Sequence, residues 1–380
     1  MPRTVRVRSG RLVAVLGTVA ALAAIVAYGP RIAWLRASSA PKSTAPKARR
    51  HHAALPAPWR GARSSILPGD VLIADSFNNR ILLVNPQKQV LWQFPAPGQS
   101  ANLPFARPDD AFFTPGFGGI ITNEEDEGTI AIIDFATRRV VWEYGQAGTE
   151  GAGTGDLNYP DDAFFYPRAG VVTVADIRNQ RILFIGLKSR RILRMYGQTG
   201  VQVVHPPTTY GAPNGDFPGP HGGMLVTQIN GHDAILLNSQ GKMVYTVAFP
   251  GIDYPSDANF TPSGNIIVAD YTNPGQVLIV SPAGHVIWRY DVTSGPGRLD
   301  QPSLAVQLPN GDVMLNDDYN DRVIVIDPHT DRIVWQYGHT GVPGSAAGFL
   351  NIPDGFDILP NGAVPGRAPW DDPSAPNPTP

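Results

Sequence analysis

Not one of the 380 residues is a cysteine. That single absence excludes disulfides, thiolate nucleophiles, cysteine metal sites and a lipidated N-terminal cysteine together. Charge is sparse and nearly balanced, with 30 basic against 32 acidic side chains. A formal net charge of −2 gives no global field for nucleic acid, and none is expected as a partner. Long apolar runs are also missing, apart from one. Leu12 to Tyr28 is uncharged and follows Arg3, Arg6, Arg8 and Arg11, the layout of an export signal or a single membrane anchor with its basic end inside. At 17 residues it sits at the short end of a spanning helix. We expect residues 1–11 inside, 12–28 as a retained transmembrane helix, and the remainder outside the cytoplasm at the cell membrane. The alternative is secretion after cleavage near Ala40. Residues 29–63 are rich in Ala, Pro and basic side chains without an apolar period, as in a solvated linker. The Pro-rich stretch 364–380 reads as a disordered tail.

What the chain has in abundance is a repeat. Tyr159 to Gly197 reads as four short strands, DDAFFY, VVTVAD, RILFIGL and RILRMYG, separated by PRAG, IRNQ and KSR. β-Branched and aromatic residues bounded by turn residues fit an antiparallel meander. Copies begin at Pro108, Pro213, Pro255 and Pro302. Equivalent fourth-strand positions Trp92, Trp142, Arg194, Tyr245, Trp288 and Trp335 lie 50, 52, 51, 43 and 47 residues apart. Six four-stranded units at that period predict an all-β, six-bladed β-propeller over residues 64–363. The first copy, from Gly69, lacks an opening strand, and an orphan strand, IPDGFDILPNG, lies at 352–362. The C-terminal strand should therefore complete the N-terminal blade and close the ring.

The fragments PDDAFFYPRAGVVTVADIRNQRILFI and YGHTGVPGSAAGFLNIPDG resemble NHL-repeat propellers, with their Pro-initiated inner strand and Asp-x-x-Asn-x-Arg hairpin. The run from Asp327 to Trp335 is also similar to quinoprotein-like and arylsulfotransferase-like propellers. The resemblance implies fold more than function, since such propellers serve as binders, scaffolds and enzymes. It further implies that Asp75, Asp176 and Asp317 pair with Arg80, Arg181 and Arg322 to stabilise their hairpins. The fourth-strand Trp set is expected to pack between blades.

Three features point toward a site. Each inner strand opens with Pro and a short polar residue: Asp109, Asp161, Asn214, Ser256, Ser303 and Asp354, with Asp110, Asp162 and Asp257 one position on. Inner strands line the central channel, so these side chains should converge near its upper mouth. Oxygen donors without His or Cys suit a hard divalent cation such as Ca²⁺, with Asp109, Asp161 and Asp354 as candidate ligands. The competing reading is that Asp, Asn and Ser accept backbone N–H groups at strand starts and tie blades together. Second, the link into the fourth blade is long and adds His205, with His232 in a nearby turn of the same face. Third, the turns between third and fourth strands hold Lys88, Arg138, Arg139, Lys188, Arg190, Arg191, Lys242 and Arg332, a basic lower face expected to lie toward the membrane. No Ser-His-Asp motif is visible, and the glycine loop at 148–156 precedes no helix, so it lacks the basis for phosphate binding. We expect a monomer that binds a protein, glycan or small ligand on its acidic upper face. A hydrolase/lactonase-like or arylsulfotransferase-like enzyme acting in the funnel is the alternative, and a quinone-dependent oxidoreductase a third.

Overall fold

The computed structural model describes residues 66–380, and the segments expected to form the anchor and linker, 1–63, lie outside the described residues. Alternating apolar patterns resolve into 24 strands in six antiparallel sheets. Blade one begins with β1 (Gly69–Asp75), β2 (Arg80–Val84) and β3 (Val90–Phe94). Blade two comprises β4 (Ala111–Phe113), β5 (Gly119–Glu124), β6 (Thr129–Asp134) and β7 (Arg139–Gly145). Blade three is β8 (Pro160–Tyr166), β9 (Val171–Asp176), β10 (Arg181–Gly186) and β11 (Ile192–Gly197). Blade four is β12 (Pro213–Gly219), β13 (Gly223–Gln228), β14 (Asp233–Leu237) and β15 (Met243–Ala248). Blade five is β16 (Pro255–Phe260), β17 (Ile266–Asp270), β18 (Gln276–Val280) and β19 (Val286–Tyr290). Blade six is β20 (Ala305–Gln307), β21 (Val313–Asp317), β22 (Arg322–Asp327) and β23 (Arg332–Gly338). The last strand, β24 (Pro353–Pro360), pairs antiparallel with β1 and completes blade one. The expected closure is what the sheet order shows: β24-β1-β2-β3. Among the described residues no helix is long and apolar enough to cross a membrane.

Two recurrent contacts lock the ring. Where the fourth strand carries Trp, its indole N–H reaches the next blade: Trp92 to Phe135 O, Trp142 to Leu187 O, Trp288 to Asp331 Oδ1 and Trp335 to Pro86 O. These Trp residues, which carry the likeness to quinoprotein propellers, are thus engaged in blade packing. The second contact sits at the top, the end where inner strands begin. There the last residue of each second strand meets a residue five or six further on. Arg80, Arg181 and Arg322 pair with Asp75, Asp176 and Asp317 as expected. The other blades place Thr129 on Glu124, Gln228 on Asp233 and Gln276 on Asp270. In each blade the same side chain also accepts a backbone N–H from the preceding link: Asn351, Ala106, Asn158, Gly211, Tyr254 and Asp300. One position therefore fixes both a hairpin and the crossing from the blade before it.

The stretch 364–380, expected from its composition to be a disordered tail, makes specific contacts with the propeller. Gly366 N–H donates to Phe117 O, Trp370 lies 6.1 Å from Phe165 between ring centroids, and Arg168 Nε donates to Ala375 O. Phe117 and Arg168 belong to the lower turns of blades two and three, so 364–380 lies across the underside of those blades. Composition predicted disorder because Pro dominates. What holds the segment is one aromatic, Trp370, finding an apolar seat, together with the buried Ala375.

Candidate functional site

Inner strands should alternate, one side chain toward the axis and the next away. At the upper ends of four of them they do not, because a bulge interrupts the register there. In β8, Asp161 pairs with Ala175 and Ala163 with Val174, so Asp162 is the extra residue. Comparable shifts fall at Asn214 in β12, at Ser256 and Asp257 in β16, and at Asp354 and Gly355 in β24. A bulge turns consecutive side chains to one face and is common beside functional sites. Asp162 itself sits at φ 41°, in the left-handed region that non-glycine residues rarely occupy.

The outcome is a knot of carboxylates on the axis: Asp109, Asp110, Glu125, Asp161, Asp162, Asp257 and Asp354, each 6% exposed or less. One oxygen each from Asp109, Glu125 and Asp161 lies within 4.8 Å of the other two. The same holds for Asp110, Asp162 and Asp257. Burial, and then the neighbouring carboxylates, push Asp109, Asp110, Asp161, Asp162 and Asp257 well above the usual carboxylate range. No lysine, arginine or histidine is among the main influences on any of these five. Neither oxygen of the fully buried Asp162 receives an N–H or hydroxyl among the described residues.

A floor closes the site from below. One register step down, Phe112, Phe164 and Phe217 from blades two, three and four meet across the axis, with centroids 4.8, 5.0 and 5.7 Å apart. The carboxylates therefore sit between an apolar plug and the upper mouth. Space there is tight. A Cβ added at Gly355 would lie 2.2 Å from Asp110 Oδ1 and 2.7 Å from its Cα, which explains Pro-Asp-Gly in β24 where blades two and three read Pro-Asp-Asp. We expect Gly355→Ala to destabilise the fold by about 1–3 kcal/mol, as overpacking does, read as a lowered urea midpoint with unchanged slope. An unchanged midpoint would mean that β24 can move away from Asp110.

Of the residues picked out in the sequence, Asp109, Asp110, Asp161, Asp162, Asp257 and Asp354 come together. Asn214 is buried beside them and donates Nδ2 to Asp257 Oδ1 at 3.3 Å. Ser303 has a different task. Its hydroxyl donates to Asp354 O at 2.5 Å and Asn316 Nδ2 bonds to it, stitching blade six to β24. The contact ties two blades, but by a hydroxyl donated to a carbonyl, whereas the competing reading had these side chains accept backbone N–H groups. His205 and His232 are exposed in upper turns, and neither is among the groups acting on the carboxylates. His205 N–H closes a turn onto Thr209 O, and His232 adopts φ 50° with its N–H on Ile229 O. Tyr210, added by the same long link, is fully buried in blade packing. Glu125 was legible only as one of several upper-turn charges. It is buried because its short 3₁₀ turn, Glu125–Glu127, folds the first glutamate inward while Asp126 pairs outward with Arg107.

What the site can do follows from its donors. Crowded carboxylates without a basic partner must either hold protons or neutralise a cation, and an all-oxygen set in reach of one point suits a hard ion. The sequence holds no thiol, and among the described residues no histidine joins either triad.

No family model and no curated protein matches the chain. Solved structures do. The chain is similar to one in a nidogen/laminin complex (TM-score 0.52, 14% identity, covering 76% of this chain and 97% of that one). It is likewise similar to a protein of unknown function from Bacteroides caccae (TM-score 0.51, 17% identity, 76% and 98%). A third likeness is to hydrazine synthase from Kuenenia stuttgartiensis (TM-score 0.51, 13% identity, 80% and 99%). At such identities the likeness is one of fold, and the chain is a six-bladed β-propeller of the kind its NHL-like repeats suggested.

Proposed function

We propose that this propeller is a cation-dependent binding protein, displayed outside the cytoplasm, that holds Ca²⁺ or a similar hard ion on its axis and captures an oxygen-rich ligand from above. The observation that carries this reading is the knot of seven buried carboxylates set over an aromatic floor, five of them pushed well above the usual carboxylate range by burial and by one another. A ligand with vicinal hydroxyls or a carboxylate, from a glycan or a protein partner, matches ion coordination left open toward the upper mouth. Asp109 and Asp161, each 6% exposed, are the ligands nearest that side by accessibility. The test is capture on glycan and protein arrays with Ca²⁺ and then with chelator. Binding that disappears with the ion and in Asp110→Asn supports the reading. Binding indifferent to both would move the ligand to another surface.

A second reading, hydrolysis in the funnel, is favoured by one observation, the left-handed backbone of Asp162, since strained residues cluster at catalytic sites. A bound divalent ion would supply Lewis acidity there, and the raised carboxyls of Asp110 and Asp161 would hold or move a proton. Turnover of lactones or esters, lost in Asp161→Asn, would replace the binding reading with this one.

A further inference from the structure

Resting on that reading, we infer that the axis holds two cations rather than one, in separate sites that take alternate members of the Asp109/Asp110 and Asp161/Asp162 pairs. The outer site is Asp109, Glu125 and Asp161, and the inner site is Asp110, Asp162 and Asp257. The two triads share no residue, yet each meets the same geometric condition, three oxygens within 4.8 Å of one another. Oxygens coordinating one Ca²⁺ at about 2.3–2.6 Å lie at most about 5 Å apart, so each triad fits around its own ion. A single ion serving all six residues would need every oxygen to reach one point, whereas the members of the successive pairs Asp109/Asp110 and Asp161/Asp162 fall into different triads.

The inner site has independent support. Asp162 is fully buried, neither of its oxygens receives an N–H or an alcohol hydroxyl among the described residues, and its close polar neighbours are the carboxyls of Asp110 and Asp257. A buried carboxylate in that state is costly unless something neutralises it. The backbone of blade four passes close beside these oxygens because Gly215 has no side chain: a Cβ there would meet Asp162 Oδ2 at 3.0 Å, Thr227 Oγ1 at 3.1 Å and Asp257 Oδ1 at 3.5 Å. Asn214 Nδ2 already donates to Asp257 Oδ1, which orients that carboxylate. The outer triad takes its third member from a turn, Glu125, rather than from an inner strand, so the two sites draw on different elements. Asp110 and Asp161 stand in hydrogen-bonding contact, which makes the sites neighbours whose occupancy is coupled.

Stoichiometry decides the matter. Ca²⁺ would be added to the chelator-stripped full chain and counted by calorimetric titration and by native mass spectrometry. The inference requires two ions per wild-type chain, one in Asp162→Asn and one in Glu125→Gln. Asn tolerates the left-handed backbone at 162, so the first variant preserves the bulge. Should it fail to fold, Asp257→Asn removes the same site from a different strand. A single ion in wild type, lost in Glu125→Gln and unaffected by Asp162→Asn, would overturn the two-site inference and leave the binding reading standing. No ion in wild type would overturn both.

Discussion

Replacing Arg322 with alanine should cost about 3–5 kcal/mol of folding stability, a large effect for one side chain. Arg322 is only 1% exposed and is among the largest fully buried side chains. Its Nε and Nη2 both lie 2.7 Å from Asp317 Oδ2, while Nη1 reaches Thr340 Oγ1 at 2.9 Å and Pro296 O at 3.1 Å. Truncation leaves those acceptors, and the fully buried Asp317, without their donor. Burial already raises Asp317 above the ordinary range and Arg322 is the main group holding it down. In the variant Asp317 would keep a proton, so the loss should be greater at pH 8 than at pH 5. Arg322→Lys should recover only part, because an ammonium cannot span the fork of acceptors that a guanidinium does. Arg80 gives the internal comparison. It makes the same pair with Asp75 but is 13% exposed in its side chain, so water can replace part of what is lost. Urea unfolding of the three variants would read the order directly. An Arg80→Ala loss equal to that of Arg322→Ala would show that burial of the pair is not what sets its worth.

The Asp–Arg pairs illustrate what could be read from sequence and what could not. Three blades spell the pair in full, and the ring could be counted from them together with the Trp positions. The other three fill the same place with Glu124 and Thr129, Gln228 and Asp233, and Asp270 and Gln276. Hydrogen bonding accepts many residue types at one geometric post, so a residue pattern finds only half of them. The inner-strand polar residues were equally visible, because Pro followed by Asp, Asn or Ser marks each strand start. Their convergence follows from topology alone. The bulges were not visible, since a two-residue period predicts that of Asp161 and Asp162 only one faces the axis. Nor was Glu125, whose inward turn depends on the left-handed Gly128 that ends its 3₁₀ segment. The long link that brings His205 into blade four shows a related limit. An insertion draws attention as an addition, yet this one spends its aromatic on packing blade three to blade four, where Gly197 leaves room for the Tyr210 ring.

Calcium should raise the melting temperature, and should do so more at pH 8 than at pH 5. An ion bound only by the native state at a hundredfold excess over its dissociation constant contributes about 2.7 kcal/mol, roughly 5 °C for a domain of this size. The pH dependence follows from the direction of the shifts. Asp109, Asp110, Asp161, Asp162 and Asp257 hold their protons in the folded chain well above the range where an unfolded Asp, near pH 3.9, releases them. The native state therefore binds more protons than the unfolded one through that window, and stability in chelator must fall as pH rises. An ion takes over the protons' role, so it offsets more at high pH, where they would otherwise be lost. Asp357 and Glu124 titrate in the same direction, raised to about 6 and about 8 by burial. They lie outside both triads, so their contribution is largely common to the two conditions and drops out of the difference. Asp162→Asn should shrink the calcium shift and flatten the decline in chelator, since it removes one of the crowded carboxyls. Calorimetric scans at both pH values, with and without chelator, measure all of this. A calcium shift equal at the two pH values would mean that ion and protons do not compete, and that the carboxylates on the axis serve the ring as neutral, proton-sharing links between blades.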